Sequence, residues 1–271
     1  MKLKILIASL SIGLLSASAF AGPFILAGTD ADDHGSVSGT TNQSGWLFMQ
    51  KSLENIAASV TNGKTTVAIL GSTSKAGSAA NSAFSNSSIA GTWTASTIGV
   101  ANFADFFGGI GSVTINTVGI LLMDSGNNVG GGVDGSNFVT YATGIDNFLG
   151  GGGGLFSQAN GYQWLTALLP GVSTPSESNS GISLTAAGNA NFPGLTNADL
   201  SSGPYHQAFT GFGAIPILGI SNATGNAIII GGATGSITNP GTVPEPGSLA
   251  LMGVALLGLL SGLRKKHNKN S

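Results

Sequence analysis

The feature that most limits how this chain can fold is a set of short runs that are apolar throughout. Residues 66–70 read Thr-Val-Ala-Ile-Leu and residues 118–123 read Val-Gly-Ile-Leu-Leu-Met, with comparable runs at 23–27, 154–157, 214–220 and 227–230. A strand with one face in water alternates apolar and polar side chains, whereas an unbroken apolar strand needs cover on both faces, as in parallel α/β sheets. Segments of helical period lie between these runs. Over 45–60, Trp46, Met49, Leu53, Ile56, Ala57 and Val60 form an i, i+3, i+7, i+10, i+11, i+14 stripe, and Asn62-Gly63 ends it. A second helix is expected from Ser136 as N-cap, with Phe138, Tyr141, Ile145 and Phe148 on one face and the glycines of 150–154 as its stop. A third, weaker one is expected over 75–84, and 170–211 reads as a long loop region with a few short elements. No fixed repeat period runs through the chain. The expectation is a single α/β domain, doubly wound around a mostly parallel sheet.

Both ends of the chain read as targeting segments. Lys2 and Lys4 precede an apolar run over 5–15 and then Ser16-Ala17-Ser18-Ala19-Phe20-Ala21, the pattern of a secretory signal peptide cut after Ala21. A permanent N-terminal anchor fits less well, because the apolar run is short and ends in small residues. At the other end stand Val243-Pro244-Glu245-Pro246, an uncharged run over 247–263, and a basic tail over 264–269. As a helix the run reaches ~25 Å, close to the ~30 Å hydrocarbon core of a bilayer. Basic residues beside a span stay on the cytoplasmic side, so residues 22–242 are expected outside the inner membrane. A buried core helix is the alternative, but such helices keep a polar stripe and this run has only Ser248 and Ser261.

Removing both ends changes the charge. The whole chain carries −2, but 22–242 hold three lysines (Lys51, Lys64, Lys75) against ten carboxylates, a balance near −7. That surface has no footprint for nucleic acid or anionic lipid. With no cysteine, thiolate metal sites and cysteine nucleophiles are excluded, and stability outside the cell must come from packing without disulfides.

The order Pro244-Glu245-Pro246, apolar span over 247–263 and basic tail resembles the PEP-CTERM sorting signal of Gram-negative bacteria. The resemblance implies recognition by an exosortase, a membrane protease and transpeptidase that processes its substrates at or near the Pro-Glu-Pro motif, often in bacteria that make exopolysaccharide. The central domain, in turn, resembles the class I glutamine amidotransferase-like branch of the flavodoxin-like folds. The residues that carry this are Ile120-Leu121-Leu122-Met123-Asp124, the helix over 137–149, the stretch from Gly151 through Leu155-Phe156-Ser157-Gln158, Gly161-Tyr162-Gln163-Trp164-Leu165, and Pro193-Gly194-Leu195-Thr196-Asn197-Ala198-Asp199-Leu200 with His206 downstream. In that family a cysteine sits in the turn after the strand matching 155–157, with a histidine and a carboxylate as partners. Here the nearest replacements are Ser157 and Gln158, so the amidotransferase activity does not carry over.

Asp30, Asp32, Asp33 and His34 follow the first strand, and in open α/β sheets ligands bind beyond the carboxyl ends of strands. Asp-x-Asp-Asp offers hard oxygens for Ca²⁺, with His34 as a further ligand or a base. The loop lacks the remaining ligands of a calcium-binding EF-hand loop, and a solvated turn whose aspartates cap backbone donors is the competing reading. Asp124 ends its own strand and is expected to face the same crevice. The glycines at 126, 130, 131, 132 and 135 lack the Gly-Lys-Ser/Thr ending of a phosphate loop and read as a surface loop. Ser157 with His206 and an aspartate would compose a nucleophilic set, but Ser157 lacks the flanking glycines of a Gly-x-Ser-x-Gly elbow, and His206 reads equally as a loop residue. Trp46, Trp93 and Trp164 are the right side chains to stack on sugars, although Trp46 falls on the helix stripe.

The leading expectation is a non-catalytic exported protein, a substrate of exosortase, held in the inner membrane before processing and then sorted to the envelope or an exopolysaccharide matrix. The rivals are a degenerate amidotransferase-like hydrolase acting at Asp30, Asp33, His34 and Asp124, and a calcium- or carbohydrate-binding module. Deleting residues 247–271 is expected to release the protein in soluble form, read by fractionation of membranes and medium; membrane retention of the truncated chain would point to an uncleaved N-terminal anchor instead.

Overall fold

The computed structural model describes residues 22–124, 130–158, 161–177, 180–201 and 206–232. The leader over 1–21 and the sorting segment over 243–271 lie outside them, and among the described residues no helix is long and apolar enough to cross a membrane.

All six predicted apolar runs are strands, labelled β1 (Phe24–Ala27), β4 (Thr66–Leu70), β6 (Ile120–Met123), β7 (Gly154–Gln158), β9 (Ile217–Ser221) and β10 (Ala227–Gly232). Four others carry no such signal: the hairpin of β2 (Gly35–Ser38) and β3 (Thr41–Ser44), the edge strand β5 (Thr94–Ile98), and β8 (Ile182–Leu184). Eight strands form one sheet in the order β5-β4-β6-β7-β1-β10-β9-β8, and β2–β3 stand apart. The first five of that order run parallel. The last three add on antiparallel. The connection over 222–226 explains that change for β9 and β10, because a parallel crossover needs a dozen or more residues and a turn this short permits only a hairpin.

The helices are α1 (Gly45–Ala57), α2 (Ser74–Ser85), α3 (Phe103–Gly108), α4 (Ala142–Gly150), α5 (Gln163–Leu168) and α6 (Ala186–Asn191). Alternation along each central strand sends side chains into two separate cores. Phe24, Leu26, Leu121, Met123 and Leu155 pack with Phe103, Phe106, Ile145, Phe148 and Trp164 of α3, α4 and α5. Ile25, Ala27, Ile120, Leu122 and Phe156 pack with Phe48, Met49, Leu53 and Ile56 of α1 and the alanines of α2. The side each helix takes follows from chain direction. The β1-to-β4 and β4-to-β5 crossovers step one way across the sheet and place α1 and α2 on one face; the β5-to-β6 and β6-to-β7 crossovers step back and place α3 and α4 on the other. One handedness of crossover, the right-handed one in nearly all proteins, gives this result.

One local detail differs from expectation and a second follows it. The segment expected to start at Ser136 begins as a 3₁₀ helix, Gly135–Tyr141, before α4, and its cap is Asp134, whose Oδ1 accepts from the Ser136 N–H at 2.7 Å. That bond and others from Ser136 hold the Asp134 carboxyl below its ordinary pKa. The loop region over 170–211 carries β8, α6 and a further 3₁₀ turn, Asn197–Leu200, closed by a capping box between Thr196 and Asp199. A close approach explains Gly154: a Cβ there would stand 2.3 Å from Ile56 Cγ2, so the missing side chain lets α1 lie flat on β7.

Glu54 ties α1 to the turn after α2, accepting from Lys51 Nζ (2.8 Å), Gln50 Nε2 (3.0 Å) and the Ser88 N–H (2.9 Å). Burial acts to raise its pKa, but the bonds from Lys51, Gln50 and Ser88 outweigh it and hold the carboxyl below the ordinary glutamate value. A depressed pKa stabilises the fold above the unfolded value, ~4.3, and that contribution is lost as pH falls through the folded one. Chemical denaturation across this acid range is expected to show a steeper fall for the wild type than for Glu54→Gln, by less than about 1 kcal/mol for a half-buried pair still screened by solvent; parallel curves would contradict it.

Candidate functional site

With both faces of the sheet apolar, the polar side chains of the central strands collect at the carboxyl ends of β1, β6 and β7. β1 ends in Ala27-Gly28 and leads to Thr29, Asp30 and Asp32, β6 leads to Asp124, and β7 ends in Ser157-Gln158. All six of these polar residues are buried.

Gln158 sits at the centre. Its Oε1 accepts from Thr29 Oγ1 at 3.1 Å, while its Nε2 donates to Asp124 Oδ1 at 2.5 Å and to Asp32 Oδ1 at 3.3 Å, with Met49 Sδ at 3.7 Å. One amide therefore bridges two carboxyl groups, using both of its N–H groups. Two buried carboxylates repel each other, and the shared amide is what the structure places between them. In the sequence Gln158 stands out only as a replacement for a cysteine. The signal that points to its bridging role is a fully polar side chain ending an otherwise apolar, two-side-covered strand.

Asp30 forms a second group. Its Oδ2 lies 2.8 Å from His206 Nε2 and 3.3 Å from His34 Nε2, whereas Oδ1 is buried without a hydrogen-bond partner among the described residues. The carboxylate is almost wholly covered and the two imidazoles are each about a third exposed or more, with relative side-chain areas of 6%, 32% and 42%. The loop that presents Asp30 is held by turns from Asp33 N–H to Asp30 O and His34 N–H to Ala31 O, and by the Trp46 indole N–H donating to Asp32 O at 2.7 Å. Trp46 is thus a core residue that also anchors the acidic loop. The other side of the loop is tied at Gly28, whose carbonyl accepts from the N–H groups of His206 and Gln207.

The four aspartates do not meet in one place. Asp32 and Asp124 converge through Gln158, Asp30 turns to the histidines, and Asp33 lies beside Lys75, whose Nζ donates to the Asp33 carbonyl at 2.8 Å with Oδ1 at 3.9 Å. Among the described residues no group of three or more His, Asp or Glu has the arrangement to hold a metal ion, so Asp30, Asp32 and Asp33 are not set as a calcium cage. Ser157 is buried in the extended strand, and its Oγ makes no hydrogen bond among the described residues. His206 is committed to Asp30, so the expected Ser157–His206 set is not in hydrogen-bond contact. The Ser157 carbonyl is instead near the Tyr162 hydroxyl, which accepts from the Ala27 N–H (3.1 Å) and shares its single proton between Ser157 O (2.9 Å) and Ala27 O (2.8 Å). Burial pushes the Tyr162 phenol far above its ordinary pKa, so it stays neutral and acts as a rivet between β1 and β7. The glycine loop is structural as well. Gly131 O accepts from Thr73 N–H and Gly130 O from Ala76 N–H, occupying donors at the start of α2 that a phosphate would need.

Comparison with known families decides the other end of the chain. Residues 242–266 match the PEP-CTERM protein-sorting motif. The chain is therefore exported, anchored in the membrane before an exosortase processes it, and sorted to the envelope. The PEP-CTERM match covers the sorting segment alone and says nothing of the domain that the segment carries. No curated protein and no solved structure matches the chain.

Replacing Gln158 by Leu removes the hydrogen bonds that its amide gives to Asp32 and Asp124 and that its oxygen accepts from Thr29, all in a buried site. A loss of about 1–3 kcal/mol of unfolding free energy is expected from the hydrogen bonds removed in a buried site. Urea unfolding of the variant within about 0.5 kcal/mol of wild type would show that the amide is not what holds the two carboxylates.

Proposed function

We propose that the exported domain, residues 22–242, is a non-catalytic surface module: its leader is removed after Ala21, exosortase processes it at Pro244-Glu245-Pro246, and it functions in the envelope or an exopolysaccharide matrix. The observation that carries this reading is the sorting motif at 242–266. The domain's chemistry supports it. The crevice at the strand ends is filled by a satisfied amide and its carboxylates, and the position where a nucleophile would stand offers a buried serine with no base in contact among the described residues.

The scaffold reading is flavodoxin-like, in the amidotransferase-like branch. Its support is the strand order. Counting β4, β5, β6 and β7 as the first four strands, the parallel part of the sheet reads 2-1-3-4-5 with β1 in the fifth place. This is the flavodoxin-like order with the last strand supplied from the N-terminus. In such sheets the crevice for a ligand lies where the order reverses, here beyond β4 and β6. That is where Asp124 stands, with Gly130 and Gly131 against the start of α2.

The test is Glu245→Ala. Export is expected to be unchanged, because the leader is separate, while the variant accumulates at the precursor mass in the membrane fraction. Maturation of the variant to the wild-type mass, read by mass spectrometry of the envelope and medium fractions, would sink the proposal that Pro-Glu-Pro is the processing site.

A further inference from the structure

At the opposite, amino end of the parallel strands a cleft of about 350 Å³ opens between the loop before β4, the loop before β6, and α3 and α4. Its lining includes Asn62, Lys64, Phe107, Asn116, Gly144 and Asn147, and no carboxylate. The chemistry is specific. Of the three lysines between 22 and 242, Lys51 pairs with Glu54 at 2.8 Å and Lys75 stands 3.9 Å from Asp33, whereas Lys64 has no carboxylate within ion-pair distance among the described residues. The Asn62 amide is spent on the loop itself, donating to Val118 O and accepting from the Lys64 N–H. Asn116 and Asn147 make no side-chain hydrogen bond among the described residues and keep donors and acceptors for a ligand.

Gly144 is the informative residue. It stands in the first turn of α4, where glycine is a poorer helix former than alanine. Neither conformation nor crowding demands it: its φ is not positive, and a Cβ there would meet only Phe107 Cδ1 at 3.7 Å and Ile115 Cδ1 at 3.9 Å, which are ordinary contacts. What the missing side chain provides is room in the cleft beside Phe107, whose ring is held rigid by stacking on Tyr141 at 4.2 Å.

We propose that this cleft binds the uronate unit of an acidic saccharide. Lys64 takes the sugar carboxylate, Asn116 and Asn147 take the hydroxyls through amides that both donate and accept, and the Phe107 wall packs on the apolar C–H face in the space left by Gly144. Because the domain carries a net charge near −7, it repels a polyanion at longer range, and attraction is confined to contact within a Debye length of ~8 Å. The inference gives a ligand class to the matrix-associated reading above, and rests on that reading only for where such a saccharide would be met.

The test titrates the full chain with D-glucuronate, D-glucose and acetate, followed by calorimetry and by thermal melting. Glucuronate is expected to bind, glucose about tenfold more weakly, equivalent to ~1.4 kcal/mol, and acetate not at all. Gly144→Ala is expected to raise the melting temperature while weakening glucuronate binding, and Gly144→Leu to abolish binding. Lys64→Gln is expected to bring glucuronate down to the level of glucose without lowering the melting temperature. Absence of glucuronate binding overturns the proposal, as does Gly144→Leu binding like wild type, or a Lys64→Gln variant that still prefers glucuronate. Processing is read separately in Glu245→Ala: absent glucuronate binding with that variant held at the precursor mass removes the cleft proposal alone, and maturation of that variant to the wild-type mass with glucuronate binding intact removes the Pro-Glu-Pro proposal alone.

Discussion

Cover on both faces of the sheet is the constraint from which the other features follow. β1, β6, β7 and β10 are buried along their whole length, so a charged or amide side chain in their middle would leave water with nothing to replace it. Polar chemistry is therefore displaced to the strand ends. That is why Asp32, Asp124 and Gln158, which come from three separate stretches of chain, end up side by side. The same constraint sets their terms of coexistence. Once buried they must satisfy each other, and the Gln158 amide, with an acceptor for Thr29 and two donors for the carboxylates, fits the requirement.

The two ends of the sheet consequently have different characters. Among the described residues the carboxyl end is knit by hydrogen bonds: Tyr162 rivets β1 to β7, Trp46 anchors the acidic loop, and the carbonyls of Gly130 and Gly131 accept from donors at the start of α2. At the amino end the cleft around Lys64 keeps amides and a cation uncommitted among the described residues.

Much of the architecture was legible because its signals are local. The α1 stripe led by Trp46 and Met49 and the unbroken apolar runs each depend on a period that a few residues establish. The signal failed where an element draws its stability from elsewhere. β5, Thr-Ala-Ser-Thr-Ile, has no strong pattern and exists because β4 offers it a ladder; the hairpin β2–β3 exists because it leans on α1 and α2. Asp134 replaced Ser136 as cap because either residue is a good acceptor, and only the path of the backbone chooses between them.

By itself the sequence determined where the protein goes and what its sheet is made of. A sorting motif is read as a linear segment by a membrane enzyme, and an apolar run declares its burial without reference to its neighbours. Only the tertiary structure decided which polar residues meet. Asp30 and His206 are 176 positions apart, Asp32 and Gln158 126 apart, and no spacing rule connects them; they are joined because β1 fills the place beside β7 and the chain after α5 returns to Gly28. Asp33, a neighbour of Asp32 in sequence, was turned to Lys75 instead, since successive residues in a turn point in different directions. The acidic loop thus read as one cluster in sequence and became three separate contacts in space.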